Sequence, residues 1–236
     1  MLSPYGKREW MMILVIGGGL TATLLALDMA VWTIPVVLVT VALLAFFRDP
    51  DRIVPTDEGV MVSPADGHVS SIHEVDHYDP FGEGATCVRI FLSLLDVHGN
   101  RSPCAGRVAR LTWKPGQHLN VLNPESAEVN EYNLIELVDA KDGKPVATVR
   151  QVAGLIARTI VCGVKQGDVV ERGERIGLIK FGSTTELFVP KSSGPQVMVK
   201  EGQKVVGGKT ILVQLAKVDE DQEEQPVESR EAAVAD

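Results

Sequence analysis

The chain has 236 residues and a mass of 25.5 kDa, enough for one large domain or two small ones. Its net charge of −8, from 23 Lys and Arg against 31 Asp and Glu, argues against a protein that grips nucleic-acid phosphates. With 45% hydrophobic and 23% charged residues, a wholly disordered chain is excluded as well.

The apolar residues concentrate at the start. Met11 to Leu27 is apolar apart from threonines, Met29 to Phe47 repeats the pattern, and Asp28 alone interrupts them. A single helix of that length would run about 55 Å, far beyond a hydrocarbon core of about 30 Å. A helical hairpin turning at Asp28 is the economical solution, either spanning the bilayer or embedded in one leaflet. Lys7 and Arg8 precede it, and Arg48 and Arg52 follow it. If both segments span, these charges place the two ends on the cytoplasmic side of the cell membrane. Gly17, Gly18 and Gly19 allow close helix approach. A cleaved signal peptide would explain the first apolar stretch and leave the second unaccounted for. Residues 1–50 are therefore expected to form a membrane-associated helical hairpin.

From residue 51 to 217 the periodicity changes. Short Val/Ile/Leu runs separated by Gly, Pro, Asp and Asn predict strands over Thr86–Leu92, Arg107–Trp113, Tyr132–Val138, Val146–Val152, Arg175–Phe181 and Thr210–Leu215. Asp142-Gly143 marks a hairpin turn between two of them. Leu155–Val161 and Pro124–Val129 leave room for short helices.

Two internal repeats support a β-rich domain. Val164-Lys165-x-Gly167-x-x-Val170-x-x-Gly173-x-x-Ile176 recurs as Val199-Lys200-x-Gly202-x-x-Val205-x-x-Gly208-x-x-Ile211. Ser63-Pro64-x-x-Gly67-x-Val69 recurs as Ser102-Pro103-x-x-Gly106-x-Val108. The first unit resembles the turn-and-strand repeat of biotinyl/lipoyl-type barrel-sandwich domains. The expected fold is mainly β, a barrel-sandwich-like domain with few short helices behind the N-terminal hydrophobic hairpin.

The acidic residues concentrate at the end. Residues 219–236 hold eight acidic residues against one basic, Arg230, a net of −7. Residues 218–236 are expected to be an acidic disordered tail. Cys87, Cys104 and Cys162 form no CxxC pair and are odd in number, so a reducing setting and three buried thiols are expected. The histidines and cysteines lack metal-ligand spacing, and no metal is expected.

Four segments carry the chemistry: Phe46-Phe47-Arg48-Asp49-Pro50-x-Arg52, Ser63-Pro64-Ala65-Asp66-Gly67, Asp96-Val97-His98-Gly99-Asn100-Arg101-Ser102-Pro103, and Phe181-Gly182-Ser183-Thr184-Thr185-Glu186. In this order and spacing they resemble the phosphatidylserine decarboxylase proenzymes in their short bacterial and archaeal form. The resemblance covers residues 46 to 190, and the hairpin ahead of it is typical as well. It implies self-cleavage between Gly182 and Ser183, with Ser183 Oγ attacking the Gly182 carbonyl carbon. The products would be a large chain, 1–182, and a small chain, 183–236, capped by a pyruvoyl cofactor made from Ser183.

That pyruvoyl group would form a Schiff base with phosphatidylserine and release CO₂ to leave phosphatidylethanolamine. A hydroxyl needs an adjacent base to become a nucleophile. By the resemblance, His98 accepts the proton and Asp66 orients or charges His98. His98 is also the candidate for returning a proton to the substrate carbon. Some relatives carry a second histidine three residues later, where this chain has Arg101. Either His98 serves both steps, or another histidine, His68 first among them, substitutes. Arg48, Arg52 and Arg101 are candidates either for the lipid phosphate or for anchoring the chain at headgroup level.

Two other functions compete. A membrane-anchored barrel-sandwich adaptor or carrier would share the repeats, but a carrier lysine belongs at a hairpin tip, usually beside methionine, and Met198-Val199-Lys200 matches poorly. A serine hydrolase would need a Gly-x-Ser-x-Gly elbow, which is missing.

Overall fold

A computed structural model describes residues 1–119, 129–154, 159–180 and 182–216. Helix α1 spans Lys7–Ala26 and helix α2 spans Thr33–Phe46. They fold back on each other as a hairpin, and the reversal falls at Asp28, whose φ of 56° is left-handed. Gly17 lies against the Thr40 side chain, and a Cβ there would collide with it. The hydroxyls along the helices bond back to their own turns, Thr21 to Gly17 O and Thr40 to Val36 O, both at 2.8 Å. That leaves an apolar exterior with its polar groups satisfied, as a lipid environment requires. Pro4–Ala26 is long and apolar enough to cross a membrane, whereas α2 and its 3₁₀ lead-in cover only Ala30–Phe46.

Fourteen strands follow among the described residues. The largest sheet has eight: β2 (Gly67–Tyr78), β3 (Glu83–Leu92), β5 (Gly106–Lys114), β6 (Tyr132–Val138), β7 (Pro145–Val152), β9 (Val169–Val170), β11 (Ser183–Pro190) and β13 (Lys204–Val205). Their spatial order is β13-β2-β3-β11-β7-β6-β5-β9, antiparallel throughout and curled into a half-barrel. A second sheet joins β4 (Gly99–Arg101), β10 (Arg175–Lys180) and β8 (Thr159–Cys162) in the order β4-β10-β8. A third joins β1 (Val60–Val62), β14 (Ile211–Gln214) and β12 (Gln196–Val197) in the order β1-β14-β12. The mainly β, barrel-sandwich-like expectation is met. Met61, Val88, Ile90, Ile135, Val149 and Leu187, drawn from sheets facing one another, are fully buried in one core.

The two sequence repeats pair with each other in a crossed arrangement. Gly67 and His68 pair with Val205 and Lys204, while Gly106 and Arg107 pair with Val170 and Val169. The Val69 N–H donates to Gln203 O at 2.9 Å, and the Val108 N–H to Asp168 O at 2.8 Å. At the centre the two Ser-Pro turns exchange reciprocal bonds, Val62 N–H to Pro103 O and Arg101 N–H to Pro64 O, each 2.9 Å. The domain therefore has a local pseudo-two-fold relation between its halves.

The expected strands coincide with β3, β5, β6, β7, β10 and β14 to within a few residues, except that Phe181 lies outside the described residues. Leu155–Val161 is corrected in part: Thr159–Cys162 is strand β8, a partner of β10, and 155–158 lie outside the described residues. Pro124–Val129 lies outside them except for its last residue, and 219–236 lie outside them entirely. The Asp142-Gly143 turn forms, with Gly143 at a φ of 75°. Cys87 and Cys104 are buried as expected; Cys162 is only half-buried.

Candidate active site

β10 and β11 are consecutive in the chain but belong to different sheets, and Gly182 lies between them. Gly182 has a φ of 62°, a left-handed conformation that costs any residue with a Cβ. Ser183 is the next residue and the first of β11. It sits opposite Leu92 of β3, fully buried, and its Oγ has no hydrogen-bond partner among the described residues. An orphaned buried hydroxyl beside a left-handed glycine is costly to keep for stability alone.

His98 closes the site. It lies just ahead of β4, fully buried, and its Nε2 stands 3.2 Å from the Gly182 backbone nitrogen. Its other ring nitrogen, Nδ1, is 2.9 Å from the Asp96 carbonyl oxygen. A carbonyl can only accept, so Nδ1 carries the proton and Nε2 accepts from the Gly182 N–H. Burial pushes the imidazole down from 6.5 to about 4, against the opposing pull of the Asp96 carbonyl and carboxylate. His98 is therefore neutral at ordinary pH, with Nε2 unprotonated.

The Phe46 ring, from the last residue of α2, lies against the imidazole with centroids 4.4 Å apart. Phe46 and Phe47 pack with Leu178 of β10 and with Leu2, Tyr5, Trp10 and Ile13 of the N-terminal segment. The hairpin and the site thus share one apolar cluster. Glu9 of α1 also reaches Lys180, at the end of β10, at 2.6 Å.

Asp66 lies in the turn before β2. Its carboxylate accepts from Arg52 Nη2 at 2.9 Å and from the Gly207 N–H at 2.8 Å. Burial pushes it above the usual carboxylate range despite those donors, and Asp96 adds a smaller repulsion. Among the described residues no hydrogen bond joins Asp66 to His98. The structure thus brings Ser183, Gly182 and His98 together and leaves Asp66 on its own partners, Arg52 and Gly207. His68 is exposed on β2, opposite Phe91 and Lys204, and takes no part in this cluster.

Arg101 is corrected as a phosphate contact. It is 5% exposed, donates to Asp49 Oδ1 at 2.7 Å, and spends further N–H groups on Pro50 O and Gly173 O. Asp49 also accepts from Arg175 Nε at 2.6 Å, so the Phe-Phe-Arg-Asp-Pro motif supplies a buried carboxylate clamped by two guanidinium groups. Arg52 is committed to Asp66. Arg48 is half-buried and bonds the carbonyls of Ala45 and Leu95.

Several supporting groups escaped the sequence reading. The Asp96 main-chain carbonyl sets the tautomer of His98. Thr185, two residues beyond Ser183, accepts from Asn100, which accepts from Gln151, which accepts from Asn133, all buried at 2.8–3.0 Å. Glu186 is fully buried between Arg89 and Arg150, with Arg89 Nε at 2.6 Å. These groups keep the start of β11 rigid. Among the described residues, no group of three or more His, Cys, Asp or Glu is placed to hold a metal ion.

The family model for phosphatidylserine decarboxylase matches residues 39–213. A phosphatidylserine decarboxylase proenzyme of Erythrobacter litoralis is 42% identical over 228 residues, covering 92% of this chain and 88% of that protein. One from Gluconacetobacter diazotrophicus is 46% identical over 175 residues, covering 73% and 76%. One from Granulibacter bethesdensis is 41% identical over 202 residues, covering 84% and 81%.

Proposed function

The chain belongs to the phosphatidylserine decarboxylase family, and from that premise we propose that it is a pyruvoyl-dependent proenzyme that cuts itself between Gly182 and Ser183. The carrying observation is the His98 Nε2 that accepts from the Gly182 N–H, one residue from a buried Ser183 hydroxyl with no partner among the described residues.

The self-cleavage follows from these groups. His98 Nε2 accepts the proton as Ser183 Oγ attacks the Gly182 carbonyl carbon, and the peptide rearranges to an ester. The left-handed Gly182 has no Cβ, and no described residue beyond its chain neighbours comes within 4 Å of where one would stand. Elimination of the ester frees Gly182 as the carboxyl end of the large chain, residues 1–182. Water then hydrolyses the dehydroalanine left at position 183, its oxygen becoming the ketone as the nitrogen leaves as ammonia, so the small chain, 183–236, carries a pyruvoyl cap derived from Ser183. The residues fit that group: position 183 is buried, paired with Leu92 of β3, and follows Gly182, whose N–H is bonded to a neutral histidine.

When formed, the pyruvoyl group supplies the electron sink that loss of CO₂ from an α-amino acid demands. His98, already positioned, is the group that moves a proton at the substrate carbon. The carboxylate of Asp66, neutralised by Arg52, adjusts the charge near the site without touching the ring. The hairpin of residues 1–50 holds the β domain, 51–217, against the cytoplasmic face of the cell membrane. Phosphatidylserine is the substrate and phosphatidylethanolamine the product.

Intact-mass spectrometry of the purified chain tests this, with Ser183→Ala as the control. The expected result is two species, residues 1–182 and 183–236, the smaller with no free amine, and a single 25.5 kDa species for the variant. Uncut wild-type protein that still converts phosphatidylserine would refute the pyruvoyl mechanism.

A further inference from the structure

Between β3 and β4 the chain makes a tight turn whose tip is two leucines. The Asp96 N–H donates to Ser93 O at 3.0 Å, closing a four-residue turn over Ser93–Asp96. The Asp96 carboxylate accepts from the Ser93 N–H at 2.9 Å and from its hydroxyl at 2.6 Å, locking the turn from inside. Leu94 and Leu95 occupy the two central positions and point outward, 49% and 83% exposed. Turn centres usually carry Gly, Pro, Asn or Asp, so nothing about making this turn calls for leucine. A scattered exposed leucine is ordinary; two adjacent ones on a braced turn are a patch.

The location of the patch identifies what meets it. Arg48 bonds the Ala45 carbonyl, in the last turn of α2, and the Leu95 carbonyl, so one guanidinium ties the leucine turn to the foot of the hairpin. Leu92, two residues before Leu94, is the register partner of Ser183, and His98 follows three residues after Leu95. The turn is thus continuous with the apolar hairpin on one side and with the active site on the other.

We propose that Leu94 and Leu95 insert into the acyl–headgroup boundary of the bilayer that receives the hairpin, a second contact that fixes the active site at headgroup depth. The proposal rests on the reading of α1 and α2 as a membrane hairpin. Two apolar side chains beside a cationic guanidinium suit that boundary, with leucines below the phosphates and Arg48 level with them.

Fluorophore quenching separates this proposal from its premise. A Cys162→Ala chain carries an environment-sensitive label at Leu95→Cys or, separately, at Leu38→Cys in the middle of α2, and is reconstituted into vesicles with brominated acyl chains. Quenching at both positions supports the insertion. Quenching at 38 alone overturns it while keeping the hairpin in the membrane, and quenching at neither overturns both. Kinetics give a second readout through the double variant Leu94→Ser/Leu95→Ser. The ratio of its turnover on phosphatidylserine vesicles to its turnover on monomeric short-chain phosphatidylserine should fall about tenfold below the wild-type ratio. An unchanged ratio overturns the proposal.

Discussion

The buried neutral His98 makes a quantitative prediction about acid stability. Ser183→Ala keeps the protein as one chain, and adding His98→Gln removes the titrating group. In the unfolded chain the imidazole protonates near its ordinary 6.5, whereas in the folded protein burial holds it at about 4. Between those values the unfolded state binds a proton that the folded state does not, so stability is complete above pH 6.5 and declines as the pH falls. At 1.36 kcal/mol per decade, the part attributable to His98 lost by pH 4 is about 3 kcal/mol. Other groups titrate in the same range, but they are common to both variants and cancel in the difference between them. The assay is urea unfolding of the full chain in detergent at pH 7.5 and pH 4. The stability advantage of Ser183→Ala over Ser183→Ala/His98→Gln should shrink by about 3 kcal/mol between these pH values. Parallel losses in the two variants would refute a buried, neutral His98 and with it the assignment of Nε2 as a ready base.

Three further outcomes are expected. Self-cleavage of the wild type, followed by gel, should keep one rate from pH 8 down to about 5 and fall about tenfold per unit below 4, as His98 takes up its proton. Asp49→Ala strands the Arg101 and Arg175 guanidinium groups and should cost about 3–5 kcal/mol in denaturant unfolding, with Asp49→Glu recovering only part because the cavity is tight. Asp28→Gly relieves a left-handed aspartate at the hairpin turn and should raise stability by up to about 1 kcal/mol, read as a shift in thermal unfolding, with activity unchanged.

What the sequence revealed and what it hid divide along a physical line. The hairpin was legible because one aspartate among apolar residues has nowhere to go but a turn. Most of the sheet was legible through Val/Ile runs with glycine breaks. Strand β11 was not read as a strand, since Ser-Thr-Thr-Glu looks like a loop; it is central and buried because Asn100 reaches Thr185 and two arginines enclose Glu186. The grouping of Ser183, Gly182 and His98 came from motif order alone, and the geometry now accounts for it through one nitrogen-to-nitrogen approach of 3.2 Å. The Asp96 carbonyl was beyond reach, because every residue has such a carbonyl and only the turn aims this one. Arg101 was misread for a similar reason: a guanidinium in a motif looks available until the distant Asp49 is seen to hold it.

The crossed repeats bear on how the protein comes into being. Each Ser-Pro unit is completed by a Val-Lys-x-Gly unit well further along, Gly67 by Val205 and Gly106 by Val170, and the cut after residue 182 would put one Val-Lys-x-Gly unit on either product. Neither half can assemble early, since the loops to be closed are long and nearly all the reward comes at the end. Under the proposed cleavage the intact polypeptide would act as its own assembly jig: the covalent link would bring β11 and β13 into place, and once they are seated the link would be dispensable. A mature pair separated by denaturant would have lost that jig, so its recovery should depend on chain concentration and compete with aggregation, while the Ser183→Ala chain refolds as a single molecule. Maturation in this architecture would be a one-way step, and the persistence of the two-chain form would then be governed by how slowly the seated strands let go.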